Sequence, residues 1–108
     1  MKRRVLIVDD EKNTREGLRW SLEAAQMEIE TAADGNEALE RFNRSPFDLV
    51  VTDLKMPGMD GLELLKRIKQ QDPTVEVIML TAHGTIETAV EAMREGAFHY
   101  QTKPVDLE

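Results

Sequence analysis

Asp9 and Asp10 follow the apolar run Val5-Leu6-Ile7-Val8, Asp53 follows Leu49-Val50-Val51-Thr52, and Lys103 follows Phe98-His99-Tyr100-Gln101-Thr102. If those runs are parallel strands of one sheet, all four charged groups meet at its carboxyl edge. Three carboxylates held close together repel, and each disfavours ionisation of the others. A cation would neutralise them. Hard oxygen ligands with room for water suit Mg2+, which prefers one or two carboxylates together with phosphate oxygens. Such an ion would polarise an incoming phosphoryl group and clamp it in line with an attacking oxygen. Aspartate itself serves elsewhere as a covalent phosphoryl acceptor. Lys103 would add a point charge on the other side, and the Thr81 hydroxyl, ending a further apolar run, could bond a phosphoryl oxygen.

An aspartate at a strand end is commonly only a turn former or a helix cap. That explanation is weakened here by better candidates for the caps. Asn13 with Glu16 three residues on, and Asp60 with Glu63, fit the starts of the first and third helices. Asp9, Asp10 and Asp53 are then left without a structural task.

The elements that must position these groups alternate along the chain. Short β-branched runs at 4–8, 29–32, 49–52, 75–80 and 98–102 are separated by helix-period segments at 14–26, 37–43, 61–71 and 86–95. Near-continuous apolar strands such as Val-Leu-Ile-Val and Val-Ile-Met-Leu are those covered on both faces. The alternation implies right-handed crossovers and a doubly wound α/β fold around a parallel sheet. Five strands suggest the flavodoxin-like order 2-1-3-4-5, with a ligand crevice where the first and third strands diverge. Asp9, Asp10 and Asp53 belong to those two strands. Gly96 is placed to stop the fourth helix.

Bulk properties exclude several classes. A chain of 108 residues is one domain. It has no cysteine, which rules out disulfides and zinc–thiolate chemistry. A net charge of −7 argues against direct contact with nucleic acid by this domain. The basic start Met1-Lys2-Arg3-Arg4 precedes an apolar run too short for export or a membrane span, so a cytoplasmic, membrane-independent protein is expected.

At this point the residues match a family. Val8-Asp9-Asp10-Glu11, Asp53-Leu54-Lys55-Met56-Pro57-Gly58-Met59-Asp60-Gly61, Leu80-Thr81-Ala82 and Thr102-Lys103-Pro104 resemble, in this order and spacing, the receiver domain of two-component response regulators. The resemblance spans residues 1–108 apart from a final helix. It implies that Asp53 is the phosphoacceptor, Asp10 a direct Mg2+ ligand and Asp9 a ligand through water, with the Lys55 backbone carbonyl also on the metal. Lys103 would contact the phosphoryl group, and the peptide before Pro104 is often cis in such proteins. Thr81 and Tyr100 would be the switch pair, the aromatic turning inward behind the threonine, while Lys55 and His83 would tune dephosphorylation. The partner implied is a sensor histidine kinase, and the domain is a phosphoacceptor rather than an enzyme acting on other substrates.

The segment from His83 to Phe98 resembles the fourth helix of NtrC-type regulators, in which the receiver precedes an AAA+ ATPase acting on sigma-54 RNA polymerase. That likeness implies an output through receiver dimerisation or an AAA+ effector domain. A stand-alone receiver is the alternative. A metal-dependent phosphatase using a strand-end aspartate would need a second aspartate two residues on, whereas Asp53 is followed by Leu54-Lys55. A flavin module would need a Ser/Thr/Gly-rich phosphate loop after the first strand, and none is present.

His99 and Gln101 stand where the family usually has an acid and an apolar residue. Strand alternation puts them on the face opposite Tyr100, which a fifth helix should help to cover. Trp20 lies off the apolar stripe of Leu18, Leu22 and Ala25. Only Pro104 to Glu108 follow Lys103, so the chain reads as a C-terminally truncated receiver. Extending it through a fifth helix is expected to raise the unfolding temperature markedly, and an unchanged melting curve in the longer chain would refute this.

Overall fold

Val5, Leu6, Ile7 and Val8 are almost wholly inaccessible to solvent because β1 (Arg4–Val8) has a strand on each side and a cluster of side chains on each face. The computed structural model describes residues 2–103. In it β1, β2 (Glu28–Ala32), β3 (Leu49–Thr52), β4 (Glu76–Thr81) and β5 (His99–Thr102) form one parallel sheet in the order β2-β1-β3-β4-β5. The helices α1 (Lys12–Ala24), α2 (Gly35–Arg44), α3 (Gly61–Gln71) and α4 (Ile86–Arg94) connect them. This is the doubly wound arrangement that the strand pattern predicts.

Strand alternation divides the core. Leu6, Val8, Val50, Val77 and Met79 face a large cluster completed by Ala38 and Phe42 of α2, Leu64, Leu65 and Ile68 of α3, and Ala92 of α4. Val5, Ile7, Val51 and Leu80 face a smaller cluster on which Leu18 and Leu22 of α1 pack. His99 and Gln101 pair with Ile78 and Leu80, and all four lie on that second side. Both are exposed, as is Trp20, which keeps 77% of its surface. The Lys103–Pro104 peptide and any beginning of a fifth helix lie outside the described residues.

β3 and α3 occupy the residues expected of them, whereas α1 does not. It starts at Lys12, with Glu11 at its N-cap and no side-chain cap, so Asn13 lies inside the first turn. The reason is Asp9, whose Oδ1 accepts the Glu11 N–H at 2.9 Å and turns the chain into the helix early. At the other end Gln26 takes a left-handed φ of 64°, and Met27 N–H returns to the Leu22 carbonyl, so the helix stops before the expected Gln26. α2 begins two residues early because Asp34 accepts the Glu37 N–H at 2.8 Å while Glu37 reaches back to the Ala33 N–H. The Asp60 cap on Glu63 N–H forms as expected, at 2.9 Å. Gly96, at φ 98°, ends α4 with Ala97 N–H bonded to the Ala92 carbonyl.

Gly61 shows how tightly α3 is set against the end of β3. Its N–H bonds the Leu54 carbonyl at 2.8 Å, and a Cβ there would lie 2.1 Å from the Asp53 carbonyl oxygen. In an open helix Gly→Ala stabilises by about 0.5–1 kcal/mol. Here the clash should reverse the sign, and Gly61→Ala is expected to cost about 1–3 kcal/mol in urea denaturation. A variant as stable as the parent would show that the Asp53 backbone moves aside freely.

Candidate functional site

The ladder hydrogen bonds continue one residue past the strands and deliver the charged groups. Asp9 N–H bonds the Ala32 carbonyl at 3.1 Å, Asp53 N–H the Val8 carbonyl at 2.9 Å, and Lys103 N–H the Thr81 carbonyl at 2.9 Å. Sheet pairing therefore carries the backbone of all three to one edge. Asp9, Asp10 and Asp53 each bring a ligand oxygen within 4.8 Å of the others. The group borders a cavity of about 480 Å³ lined by Asp10, Asp53, Lys55, His83, Lys103 and Thr14 of α1.

The three carboxylates differ in their bonding. Asp9 is buried, with Oδ1 on the Glu11 N–H and Oδ2 2.6 Å from Lys103 Nζ. Asp53 is also buried, with Oδ1 accepting the Leu54 N–H at 2.7 Å and Oδ2 3.3 Å from the same ammonium. Asp10 is exposed at the cavity wall. Asp9 and Asp53 thus do have local structural bonds, contrary to the expectation that caps elsewhere leave them without any. Those bonds orient the carboxylates and leave their charge incompletely matched: the Lys103 ammonium bonds both Asp9 and Asp53, and Asp10 has no ion pair among the described residues. Such a donor set, with space for water beside it, suits a hard divalent cation.

Lys103 reaches in from edge strand β5, past the end of β4. Burial alone would pull its pKa down. The hydrogen bond and charge of Asp9, and then those of Asp53, outweigh that and hold the ammonium above the ordinary lysine value of 10.5. Arg15 of α1 fixes the neighbouring backbone through a 2.8 Å bond to the Asp9 carbonyl.

Thr81 is fully buried, and its Oγ1 accepts the His83 N–H at 3.0 Å. It stands behind the cavity wall formed by Ala82 and His83 rather than in it. Tyr100 is half-buried against the larger core cluster. The charged groups are thus brought together, whereas the threonine–tyrosine pair lies one layer back. Thr14 and Arg15 carry no mark of a site role in the sequence, and Gly61 stands there only as the end of a motif and the start of a helix. A glycine at the first position of a helix was the one available signal, since it marks a close approach of backbone.

Because the folded-state pKa of Lys103 is raised, the stability it contributes is complete below 10.5 and is lost as pH climbs through the higher folded value. Lys103→Met should therefore be less stable than the parent at neutral pH, with the gap closing in strongly alkaline solution. Urea denaturation across that range checks it, and a gap independent of pH would contradict the ion pairs.

Comparison with known proteins agrees with this geometry. A family model described as "Response regulator receiver domain" matches residues 5–108. The response regulator protein PilR of Pseudomonas aeruginosa is 42% identical over 106 residues, covering 98% of this chain and 24% of that protein. The DNA-binding transcriptional regulator NtrC of Klebsiella pneumoniae is 43% identical over 102 residues, covering 94% of this chain and 22% of that protein. The chain thus spans about a quarter of the length of these curated relatives. Among solved structures, a CheY-like receiver domain protein from Methanospirillum hungatei superposes with a TM-score of 0.95 at 34% identity, covering 98% of this chain and 85% of that one. The beryllofluoride-activated NtrC4 receiver domain, solved as a dimer, superposes at 0.91 and 36% identity, covering 96% of this chain and 86% of that one. With its fold, its acidic strand ends and these relatives in agreement, the chain belongs to the response regulator receiver domain family.

Proposed function

We propose that this chain is a phosphorylation-dependent switch in which Asp53 accepts a phosphoryl group from a sensor histidine kinase. The observation that carries the reading is the meeting of a buried Asp53 carboxylate with Asp9, Asp10 and Lys103 beside an open cavity. Asp10 and Asp53, with Asp9 through water and the Lys55 backbone carbonyl, would hold Mg2+. When bound, that ion supplies positive charge for the phosphoryl oxygens.

The chain's own residues do the rest. An Asp53 oxygen bonds to phosphorus as the bond from phosphorus to the kinase's histidine nitrogen breaks, and the electron pair leaves with the imidazole. The Leu54 N–H keeps the Asp53 carboxylate oriented for this. Lys103 meets the transferred group with its ammonium, and its raised pKa keeps it charged at neutral pH. The aspartyl phosphate ends when water attacks phosphorus and the carboxylate is released. Lys55 and His83 border the path of that water and set its rate.

Phosphorylation brings nearly two negative charges and three strong acceptor oxygens. In this reading Thr81 leaves the His83 N–H for the phosphoryl group, and the loop after β4 moves with it. Tyr100, seated against the first turn of α4, couples the loop to that helix, and α4 passes the change outward. The likeness to NtrC and PilR supports an output in transcription, through receiver dimerisation or an AAA+ effector domain elsewhere in a longer protein, with residues 1–108 forming the receiver. None of the helices among the described residues is long and apolar enough to cross a membrane, which fits a cytoplasmic role.

Incubation with Mg2+ and a small phosphodonor should add the mass of one phosphoryl group to the parent chain and none to Asp53→Ala. Equal labelling of the two, or labelling unaffected by removing Mg2+, would overturn the assignment.

A further inference from the structure

Tyr100 is the one tyrosine of the chain, and its hydroxyl is held in a socket that neither Thr81 nor a phosphoryl group builds. Its Oη lies 2.9 Å from Oγ1 of Thr88, in the first turn of α4. Thr88 is already committed to the cap of that helix: its Oγ1 accepts the Thr85 N–H at 2.9 Å and donates to the Thr85 carbonyl at 3.0 Å. Oγ1 of Thr85 lies 3.2 Å from the same oxygen. The Tyr100 hydroxyl joins this cluster of hydroxyls, and its pose is tied to the first turn of α4.

Gly84 forms the floor of the socket. A Cβ at this position would lie 2.0 Å from Tyr100 Oη, 2.9 Å from Cζ and 3.0 Å from Cε1. The φ of Gly84 is not in the left-handed region, so the demand is for space and not for an unusual backbone. The ring can sit over this loop only because residue 84 has no side chain. Meanwhile Thr81 remains bonded to the His83 N–H, away from the cavity. The inward tyrosine thus coexists with a threonine turned toward the His83 N–H.

We infer that Thr88 and Gly84 are positioning residues that hold Tyr100 inward while Thr81 is bonded to the His83 N–H, so that the aromatic half of the switch is set by the α4 cap and Thr81 is the half left to move. This deepens, and rests on, the proposed signalling role of the Thr81–Tyr100 pair. It assigns control of the tyrosine to the α4 cap rather than to the threonine.

Because there is a single tyrosine, 3-fluorotyrosine labelling gives one fluorine resonance to follow. In the unphosphorylated parent the line should sit at a buried position and move little when Mg2+ and beryllofluoride are added. Thr88→Val, which keeps the shape and loses the hydroxyl, should move the line of the unliganded chain toward that of free fluorotyrosine, an in-to-out shift of roughly 2- to 10-fold for one hydrogen bond. Thr88→Ser should restore the parent line, which a role in helix packing alone would not require. Gly84→Ala should displace the ring outright in a chain that keeps its helical circular dichroism. A parent line already at the free position, or a Thr88→Val line unchanged from the parent, would overturn the inference. The two readings fail separately. Absence of Asp53 labelling would remove the signalling role while the fluorine shifts still report the socket, and an inert Thr88→Val would remove the socket from a chain that still takes phosphate.

Discussion

The ammonium of Lys103 lies between two buried carboxylates, 2.6 Å from Asp9 and 3.3 Å from Asp53, and the rest of the site depends on that placement. Without it two desolvated negative charges would face each other and a third, Asp10, with nothing to offset them. Burying an unpaired charge costs several kcal/mol and commonly ends in neutralisation. The pairing lets the sheet end in acidic residues and ties the Asp53 carboxylate to the end of β5. It also leaves an unbalanced negative charge beside a cavity, which is a standing attraction for a divalent cation.

The sheet is what makes this geometry rigid. Asp9, Asp53 and Lys103 each take a ladder hydrogen bond from the neighbouring strand, so their backbones are extensions of β1, β3 and β5. The loop after β3 is pinned again from below, where α3 approaches so closely that residue 61 has no room for a side chain. The loop after β4 is pinned less symmetrically. It holds Thr81 through the His83 N–H on one side and receives Tyr100 on the other. A rigid Asp53 beside a less constrained loop suits the proposed switch.

Much of this was legible from residue order because the signals are local. The near-continuous apolar runs of β1 and β4 read as strands covered on both sides, and Asp60 with Glu63 marked the start of α3 to the residue. Strand-end placement then put the charged groups together without any knowledge of their side chains. What failed did so where a side chain acts across the boundary of an element. Asn13 looked like a cap, but Asp9 turns the chain two residues earlier. The second helix was expected from residue 37, yet Asp34 caps a helix that starts at Gly35. Gln26 has no sequence mark of a left-handed residue. The Tyr100 socket was invisible for a stronger reason: Gly84, Thr88 and Tyr100 meet only after α4 has packed on β5, and nothing in their spacing announces it.

The most direct test is a crystal structure of the chain grown with Mg2+ and beryllofluoride. The account predicts beryllium bonded to an Asp53 oxygen, the metal on Asp10 and Asp53, and Lys103 drawn toward the fluorides. Beryllofluoride bound elsewhere, or an Asp53 carboxylate left bare with Lys103 still on Asp9, would contradict it.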